Sequence, residues 1–561
     1  MAAESTSTES TQTPGGLQNR RAFIYTAVEY APAFLLLPFI LLFLFVAFSR
    51  LTTPFELEWN EGQTAVQAWR FSQGLSLYPE PESGWVPYMY APFYHQLMGS
   101  LFWITGFEHL AWGRLISLMG TIGTLLFLIE FVFHRTNKLS LGLVSAGLYA
   151  SFYAASGFWY DLARNDSATW FFALLGVSLC CRKSPKPRHC CVGLFFLCLG
   201  TWTKQPVFPL LLLMAVYAIM RGAPLAKAAA FVIGLGFINL LAFYPAFNNP
   251  KFWHYVANNA LEHANDYRSL LPSSGNYGFS ENPLQNGFIL QPDYWEAAAK
   301  TPPRIWGEIL FPCTALLLAL AAIVPLSALH SLRKYKSSRD FRSSIIPGVV
   351  AIFVLLWSLW ASVGAYTKFG GYNNNWMPFF LTLSAIVPLG CGKLYQHSQK
   401  ASALAACALG CSSVFHLGTQ FYNPYEQIPT EEDYISYERL IDELTAKYTE
   451  GETVWVPHHQ WYARQTGHPV LYNFDMVRCA TYAGDPVPQA LLAVIAAQSV
   501  DWILLNAERP QDEWLPPGTF TPLLEAYAPA HRVEGHQRMI PVAGAPQRPV
   551  LWYKQKVDES F

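Results

Sequence analysis

Long apolar runs, separated by short polar or basic segments, recur along the first three quarters of the chain. Most of these runs approach the roughly 20 residues that an α-helix needs to cross a bilayer. Since this repetition is typical of a polytopic membrane protein, we predict eleven membrane-spanning helices. The predicted spans are residues 31–48, 110–133, 139–157, 168–181, 191–202, 207–220, 228–247, 309–329, 346–363, 377–389 and 401–417. The apolar run 93–105 is too short to cross, and we interpret it as a re-entrant or interfacial helix.

Basic residues fall on one side of this predicted topology. Arg20 and Arg21 precede the first span, and the basic segments HRTNK, RKSPKPRH and RKYKSSRDFR all follow spans that run inward. Positively charged loops stay cytoplasmic, which places the N-terminus in the cytoplasm. Residues 1–28 begin with a Ser/Thr-rich stretch that lacks the apolar core of a signal peptide. We predict that they form a disordered cytoplasmic tail.

The pattern changes after residue 418. Short apolar runs such as VWVP, DWILLN and VLWYK alternate with helix-like segments over residues 419–561, which is typical of an α/β domain. An odd number of spans places this domain outside. The predicted fold is therefore a polytopic α-helical membrane module of residues 29–418, with a first outer loop at 50–109, followed by a small soluble α/β C-terminal domain on the outer face. The predicted location is the inner (plasma) membrane.

Composition agrees with this picture and excludes some partners. The chain is 52% hydrophobic and only 13% charged, against about 25% charged residues in typical soluble proteins. Its net charge of −1 provides no basic field for a nucleic acid. Most of the ten cysteines lie in or beside predicted spans, so we expect no disulfide framework. The pairs at 180–181 and 190–191 could hold zinc, but cysteine is more common as a small buried hydrophobe. No metal site or cofactor is predicted, and a divalent metal is left open.

Polar and charged residues collect at the outer ends of the predicted spans. The clusters are residues 56–61, 161–166, 204–205, 248–306 and 368–375. Ionisable residues at membrane depth are costly and usually functional, so their convergence on one face favours a site there. Solvated loops between the spans are the alternative interpretation.

The first of these clusters has the residues for proton transfer. Asn60 is predicted to cap a helix that Glu61 opens and Gly74 terminates. Glu58 lies three residues before Glu61, so a tight turn would let both carboxylates face the same space. A carboxylate in a first helical turn is stabilised in its ionised form. That suits a group that accepts a proton from a hydroxyl, although it also describes any well-capped helix. Aromatic residues such as Tyr90 crowd this stretch, which suits a membrane interface and the stacking of sugar rings equally well.

Four regions taken in chain order resemble the GT-C glycosyltransferases, in the bacterial branch related to protein O-mannosyltransferases and the aminoarabinose–lipid A transferase. They are WNEGQTAVQAW with the following QGLSLYPEP and YMYAPFYHQLMG, then ARNDSATWFFALLG, LGTWTKQPVFPLLL and KFGGYNNNW. The resemblance covers residues 30 to 420. It implies many helices and the transfer of a sugar, generally with inversion, from a polyprenyl-phosphate-linked donor to an acceptor on the outer face.

The resemblance also implies a general base. The family's acidic pair before glycine appears here as Asn60 followed by Glu61, so one of the two usual carboxylates is missing. The role of general base is therefore assigned to Glu61, with Glu58 as the reserve.

Further residues receive binding roles. Arg164, in the Arg-x-Asp element, and Lys204, in the Thr-Lys-Gln element, are candidates for the donor phosphate, because both cations bind phosphate well. Asp161 and Asp166 are expected to orient Arg164 or to contact substrate; a buried ion pair between helix ends is the alternative. The remaining predicted substrate-binding residues are Gln205, Lys368, Asn374 and Tyr90.

Two other functions remain open. A transporter or flippase of lipid-linked sugars would more often place polar residues in mid-span, with broken helices and internal repeats. A non-catalytic scaffold would not require carboxylates and cations on the same face. The predicted partners are a polyprenyl-phosphate sugar donor, membrane lipids, and a lipid, protein or polysaccharide acceptor; the sequence does not specify which sugar or which acceptor.

Overall fold

The computed structural model describes residues 14–182, 187–220, 249–263, 306–334, 338–368, 371–396, 399–507, 515–544 and 546–556. Up to residue 419, the α-helices in these ranges are α1 (Pro14–Arg50), α2 (Glu61–Ser72), α3 (Phe93–Thr105), α4 (Leu110–Thr136), α5 (Leu139–Ser151), α6 (Asp166–Cys180), α7 (Pro187–Thr203), α8 (Phe208–Met220), α9 (Pro250–Trp253), α10 (Asn259–Glu262), α11 (Phe311–Lys334), α12 (Ser338–Tyr366), α13 (Met377–Tyr395) and α14 (Gln399–Thr419). Short 3₁₀ or π turns connect several of them, including Gln205–Val207, His254–Asn258, Trp306–Leu310 and Asn373–Trp376.

Within the described ranges, five helices are long and apolar enough to cross a membrane. They are Thr26–Arg50, Leu110–Thr136, Gly348–Tyr366, Asn373–Tyr395 and Ala401–Thr419. Shorter apolar helices are Leu139–Ser151, Asp166–Cys180, Gln205–Met220 and Phe311–Ile323. The chain is thus helical with several apolar helices, as predicted, whereas the count of eleven spans and their sidedness stay predictions. The predicted span 228–247 and most of the predicted outer loop 248–306 lie outside the described residues.

The segment predicted to be the first outer loop contains two helices, α2 and α3. The short helix predicted at 93–105 is present as α3. It packs closely on α2, because a Cβ added at Gly99 would lie only 2.3 Å from the carbonyl oxygen of Ala68. Helix α2 begins at Glu61 as predicted, and Gly74 follows its end with φ +70°. Asn60 does occupy the N-cap position, but its side chain makes no capping hydrogen bond, so the predicted capping interaction is wrong.

Helix α4 presents small and hydroxyl-bearing residues to the segment 152–165, which connects α5 and α6. A Cβ at Gly113 would lie 2.7 Å from the Cβ of Ala163, so the two backbones pass close together. One turn further, Ser117 Oγ donates a 2.8 Å hydrogen bond to the carbonyl of Arg164. Small residues permit such close approach between packed elements. The backbone that carries Asp161 and Arg164 is therefore fixed against α4.

The described part of the C-terminal region is α/β. It contains α15 (Glu431–Thr449), β1 (Val454–Trp455), α16 (Gln460–Gln465), α17 (Phe474–Tyr482), α18 (Gln489–Ala496), β2 (Trp502–Leu505), α19 (Phe520–Ala526), β3 (Tyr527–Arg532) and β4 (Leu551–Gln555). The strands form one sheet in the order β1-β2-β4-β3, with β1 and β2 parallel and the other pairs antiparallel. The alternation of short apolar runs and amphipathic segments after residue 418 predicted this mixture, while the side of the membrane on which it lies remains a prediction.

The C-terminal region packs directly on the first outer loop. Tyr88 of the loop shares a buried apolar core with Phe474 and Val477 of α17. The backbone N–H of Ala543 also donates a 3.2 Å hydrogen bond to the carbonyl of Leu57. As a result, residues of the C-terminal region lie close to the acidic cluster that precedes α2.

Candidate active site

The acidic cluster before α2 is completely buried, and its members have different partners. Glu56, Glu58 and Glu61 are each 2% exposed or less. Each pairs with a basic side chain from a different part of the chain: Glu56 with His459, Glu58 with Arg164, and Glu61 with Arg114. Burial of a charge is costly unless it is paired and hydrogen-bonded, so the quality of each pairing decides what each carboxylate can do.

Glu61 is held by a full set of hydrogen bonds. Arg114 binds it with two nitrogens, Nε to Oε1 at 3.0 Å and Nη2 to Oε2 at 2.7 Å. The backbone N–H groups of Leu57 and Ala163 donate to the same carboxylate at 2.8 and 2.6 Å. Burial opposes the negative charge, but Arg114 and the two N–H groups outweigh it and hold the pKa of Glu61 below its ordinary value. The general-base role of Glu61 stays a prediction, and this geometry argues against it, since both carboxylate oxygens already accept two hydrogen bonds from protein groups.

Glu58 has a much weaker set of partners. Its Oε2 accepts one hydrogen bond from Arg164 Nη1 at 3.1 Å, and its Oε1 has no hydrogen-bond partner among the residues that the structure describes. Burial raises the pKa of Glu58 to about 8, although the charge of Arg164 opposes the shift. Two carboxylates three residues apart thus have pKa values shifted in opposite directions, which is the arrangement that separates acid–base roles in enzymes.

Arg164 connects Glu58 to a group of aromatic side chains. Its Nη1 also donates to the hydroxyl of Tyr88 at 2.9 Å. The guanidinium lies 5.3 Å from the ring centre of Tyr88 and 5.5 Å from that of Trp159, so cation–π attraction supports the buried charge. The ring of Tyr88 stacks on Tyr90 with centres 5.3 Å apart, and Tyr90 leads to the second buried cation.

Lys204 is that second cation. Its Nζ lies 2.5 Å from Asp166 Oδ1 and 5.2 Å from the ring centre of Tyr90. Asn374 Nδ2 donates to the other oxygen of Asp166 at 3.2 Å. Burial disfavours the ammonium, but the carboxylate of Asp166 outweighs it and raises the pKa of Lys204. The structure therefore brings together six of the predicted residues: Glu58, Tyr90, Arg164, Asp166, Lys204 and Asn374.

The structure does not pair Asp161 with Arg164, which was one of its two predicted roles, and its contact with substrate stays a prediction. Asp161 instead receives hydrogen bonds from Arg50 Nε and Nη2, both at 2.6 Å, and from the hydroxyl of Tyr153 at 2.7 Å. Arg50 Nη2 also donates to the carbonyl of Phe158 at 2.7 Å. Asp161 thus joins the end of α1 to the segment before α6, which is the buried ion pair weighed as its alternative role.

The side chains of two other predicted binding residues donate hydrogen bonds to backbone carbonyl groups. Gln205 Nε2 donates to the carbonyls of Met89 and Val256, at 2.5 and 2.9 Å. Lys368 Nζ donates to the carbonyl of Ala260. These contacts tie the first outer loop and the helical segment at 250–262 to the rest of the site, and a direct contact of either residue with substrate remains a prediction.

Sequence reasoning missed the partners Arg50, Arg114 and His459. The two arginines lie at the outer ends of the first and second predicted spans, where the preference for cytoplasmic positive charge disfavours them. Their unusual position at these span ends was the sequence signal that could have identified the two arginines as partners of buried carboxylates. His459 gave none, because a histidine in a separate domain has no sequence relation to Glu56.

A metal centre finds no support in the described part of the chain. No group of three or more His, Cys, Asp and Glu side chains in the described ranges is arranged to hold a metal ion. The described residues of the site provide two buried cations and a carboxylate of raised pKa.

No protein-family model matches the chain, and no curated protein sequence matches it. Among solved structures, the chain is similar to ArnT from Cupriavidus metallidurans, with 15% identity and a TM-score of 0.43 over 92% of this chain and 97% of that one. The same enzyme bound to undecaprenyl phosphate gives 15% identity and a TM-score of 0.41 over the same shares. The Archaeoglobus fulgidus oligosaccharyltransferase gives 12% identity and a TM-score of 0.45 over 88% of this chain and 73% of that one. Both enzymes are GT-C glycosyltransferases.

Proposed function

We propose that the protein is a membrane glycosyltransferase that moves a sugar from a polyprenyl-phosphate-linked donor to an acceptor hydroxyl on the outer face of the membrane. The observation that carries the proposal is one continuous network, which joins Glu58 through Arg164, Tyr88 and the half-buried Tyr90 to Lys204 and Asp166. It combines a carboxylate that can hold or release a proton near neutral pH with two cations.

The proposed reaction is a single displacement at the anomeric carbon. The acceptor hydroxyl loses its proton to Glu58 as its oxygen forms the new glycosidic bond. The bond between the anomeric carbon and the phosphate oxygen breaks, and the lipid phosphate leaves with the electron pair. Arg164 and Lys204 compensate the charge that develops on that phosphate. Positioning of the acceptor oxygen in line with the leaving group accounts for the rest of the catalysis.

Glu58 suits the role of general base better than Glu61. A catalytic base is most effective when its pKa lies near the working pH, and burial raises the pKa of Glu58 to about 8. One of its oxygens also lacks a partner among the described groups, so an acceptor hydroxyl can approach it. Glu61, in contrast, already receives hydrogen bonds from Arg114 and two backbone N–H groups.

The exposed apolar side chains at the end of α3 provide a surface on which a lipid donor can approach this network. Trp103, Ile104 and Phe107, at and just after its end, are 75%, 69% and 56% exposed. Aromatic and aliphatic side chains grouped in this way favour the interface between headgroups and acyl chains. Because α3 packs on α2, the polyprenyl chain could lie on this surface while its phosphate reaches the buried cations.

The test is transfer by the purified full-length chain in proteoliposomes. Undecaprenyl-phosphate-linked sugars are supplied as donors, with lipid, peptide and polysaccharide acceptors tested separately. We expect the wild type and Glu80→Gln to transfer the sugar, because Glu80 is an exposed carboxylate of the same loop. We expect Glu58→Gln to lower the transfer rate by about 10²- to 10⁴-fold, the usual contribution of a general base.

Two outcomes contradict the proposal. Normal transfer by Glu58→Gln would remove Glu58 from the reaction. Translocation of the intact lipid-linked sugar across the vesicle membrane, without release of undecaprenyl phosphate, would instead establish the transporter or flippase function.

A further inference from the structure

Helix α2 and its N-cap residue bury several polar side-chain atoms that lack hydrogen-bond partners in the described part of the chain. Asn60, Gln63 and Gln67 are spaced by three and four residues, so they lie on one face of the helix, and each is 4% exposed or less. Asn60 Oδ1, both amide atoms of Gln63, and Gln67 Nε2 lack hydrogen-bond partners within the described ranges. An unpaired buried amide group costs about 1–3 kcal/mol, and native proteins contain few of them. Their concentration in two helical turns points to a ligand that completes their hydrogen bonds.

The C-terminal region faces the same helix with similar groups. Helix α16 lies against the start of α2, since a Cβ added at Gly62 would fall 2.9 Å from the Cβ of Trp461. His459, which precedes α16, binds Glu56 through Nδ1. The atoms His459 Nε2, Gln460 Oε1, Asn473 Nδ2 and Asp475 Oδ1 are buried without partners in the part of the chain that the structure describes. Buried polar atoms without partners thus occur both in α2 and in the C-terminal segments that adjoin it.

These groups have the hydrogen-bonding character that a sugar requires. They include donors, such as the amide nitrogens of Gln63, Gln67 and Asn473, and acceptors, such as Asn60 Oδ1 and Glu58 Oε1. A sugar hydroxyl both donates and accepts, so it can satisfy one group of each kind. A site built for a substrate hydroxyl also discriminates strongly against analogues that lack it.

Charge balance favours an uncharged sugar. Each carboxylate at this contact already faces a basic side chain: Glu56 faces His459, and Asp475 lies 3.0 Å from His458. Glu58 is likewise paired with Arg164. Among the described residues at this contact, no carboxylate is therefore left over for the ammonium group of an amino sugar, and no basic side chain is left over for the carboxylate of a sugar acid.

We propose that the amide face of α2, with the facing residues His459, Asn473 and Asp475, binds the hydroxyl groups of a neutral sugar beside Glu58. The inference rests on the proposed function, in which this sugar is the glycosyl group of the donor. It assigns the C-terminal region to sugar recognition, with the lipid phosphate bound separately by Arg164 and Lys204.

The experiment measures the binding of three lipid-linked sugars and of the bare lipid phosphate by the full-length protein in detergent. The probes are undecaprenyl phosphate carrying mannose (neutral), galacturonate (anionic) or 4-amino-4-deoxyarabinose (cationic), and undecaprenyl phosphate alone. We expect the wild type to bind the mannosyl lipid at least tenfold more tightly than the other three.

Gln63→Leu and Gln67→Leu are the test variants, and Gln73→Leu is their matched control because Gln73 is exposed at the end of the same helix. Each test variant should weaken mannosyl-lipid binding about tenfold, the effect of one lost hydrogen bond of ordinary strength, and leave the affinity for bare undecaprenyl phosphate unchanged. Leucine has a similar volume and needs no hydrogen-bond partner, so we expect the melting temperature of Gln63→Leu to be equal to or above that of the wild type. Gln67→Leu also removes the Oε1 that accepts a 3.2 Å hydrogen bond from the backbone N–H of Tyr88, so its melting temperature should fall.

The outcomes separate this inference from the proposed function. Preference for a charged sugar, equal binding of the mannosyl and bare lipids, or unchanged selectivity in both glutamine variants would each overturn the neutral-sugar site. Failure to transfer sugar from any donor would contradict the proposed function, while the binding comparison would still decide whether the sugar site exists.

Discussion

The contrast between Glu58 and Glu61 makes a prediction about how stability depends on pH. Burial raises the pKa of Glu58 from 4.5 to about 8. At about 1.4 kcal/mol per pKa unit, this shift corresponds to roughly 5 kcal/mol of opposition to ionisation in the folded state. In the unfolded chain the same carboxyl group ionises at its ordinary pKa. The free energy of unfolding therefore decreases as the pH rises from the ordinary pKa of Glu58 to its raised value.

The sign follows from which state binds the proton more tightly. Below about pH 4.5 both states are protonated at Glu58, and its stabilising contribution is fully present. As the pH rises towards 8, the unfolded state loses the proton first and that contribution is lost. Glutamine resembles the protonated form and does not titrate. The melting temperature of Glu58→Gln should accordingly exceed that of the wild type by a margin that grows from pH 5 to pH 8, with roughly 5 kcal/mol as the upper limit.

Thermal unfolding of the purified protein in detergent, measured in half-unit steps from pH 5 to pH 9, tests this expectation. Glu80→Gln is the control, because Glu80 is 65% exposed and its replacement should leave the pH profile unchanged. In the same buffers, kcat/KM of the wild type should rise with pH and level off near pH 8, where Glu58 becomes ionised. A Glu58→Gln variant that melts below the wild type at every pH would refute the reasoning, because Glu58 would then be an ionised partner of Arg164 whose loss leaves a buried charge unpaired.

Three other substitutions should give distinct results. Glu61→Gln should destabilise the protein by about 3–5 kcal/mol, measured by denaturant unfolding, because it leaves Arg114 buried without its carboxylate. Lys204→Ala should raise the Kd for undecaprenyl phosphate about tenfold or more in a direct binding assay, because a charge-assisted hydrogen bond contributes about 1.5–3 kcal/mol. Gly62→Ala should lower the melting temperature and reduce transfer, because the added Cβ would lie 1.7 Å from Glu56 Oε1 and displace that carboxylate.

Each of these three predictions has a control variant or a result that would contradict the prediction. For Lys204→Ala the control is Lys251→Ala, since Lys251 pairs with an exposed carboxylate, and equal affinities for both variants would remove Lys204 from phosphate binding. For Gly62→Ala the control is Gly410→Ala, where an added Cβ meets no atom within 4 Å and a neutral or slightly favourable effect is expected. A stable Glu61→Gln that has lost all transfer would return the role of general base to Glu61.

Local features of the site could be predicted from sequence, whereas its long-range pairings could not. The start of α2 at Glu61 and the turn at Gly74 follow from residues within one or two helical turns, and both are present. The partner of Glu61 is Arg114, which is separated from it by 53 residues. Helical spacing carries no information about such a partner, so it could not show that Glu61 was fully paired and that Glu58 was not.

The same limit explains the outcome for Asp161 and Asp166. The two residues are close in sequence and were expected to orient Arg164 or to contact substrate. In the structure, they bind different cations, Arg50 at the end of α1 and Lys204 just after α7. The charge balance of the segment was therefore predictable, but the choice of partner was set by the packing of segment 152–165 against α4.

The positions of the buried cations connect these observations. Arg50, Arg114 and Lys204 lie at predicted outer ends of spans, where positive charge is disfavoured, and each is paired with a buried carboxylate. In the first two pairs the carboxylate accepts at least three hydrogen bonds from protein groups, which suits a structural role. The pairs of Lys204 with Asp166 and of Arg164 with Glu58 have fewer bonds and adjoin the stacked rings of Tyr88 and Tyr90. Because their carboxylate partners accept fewer hydrogen bonds, these two cations can bind an incoming phosphate. The number of hydrogen bonds at each carboxylate thus distinguishes the structural ion pairs from the two ion pairs to which we assign a role in the reaction.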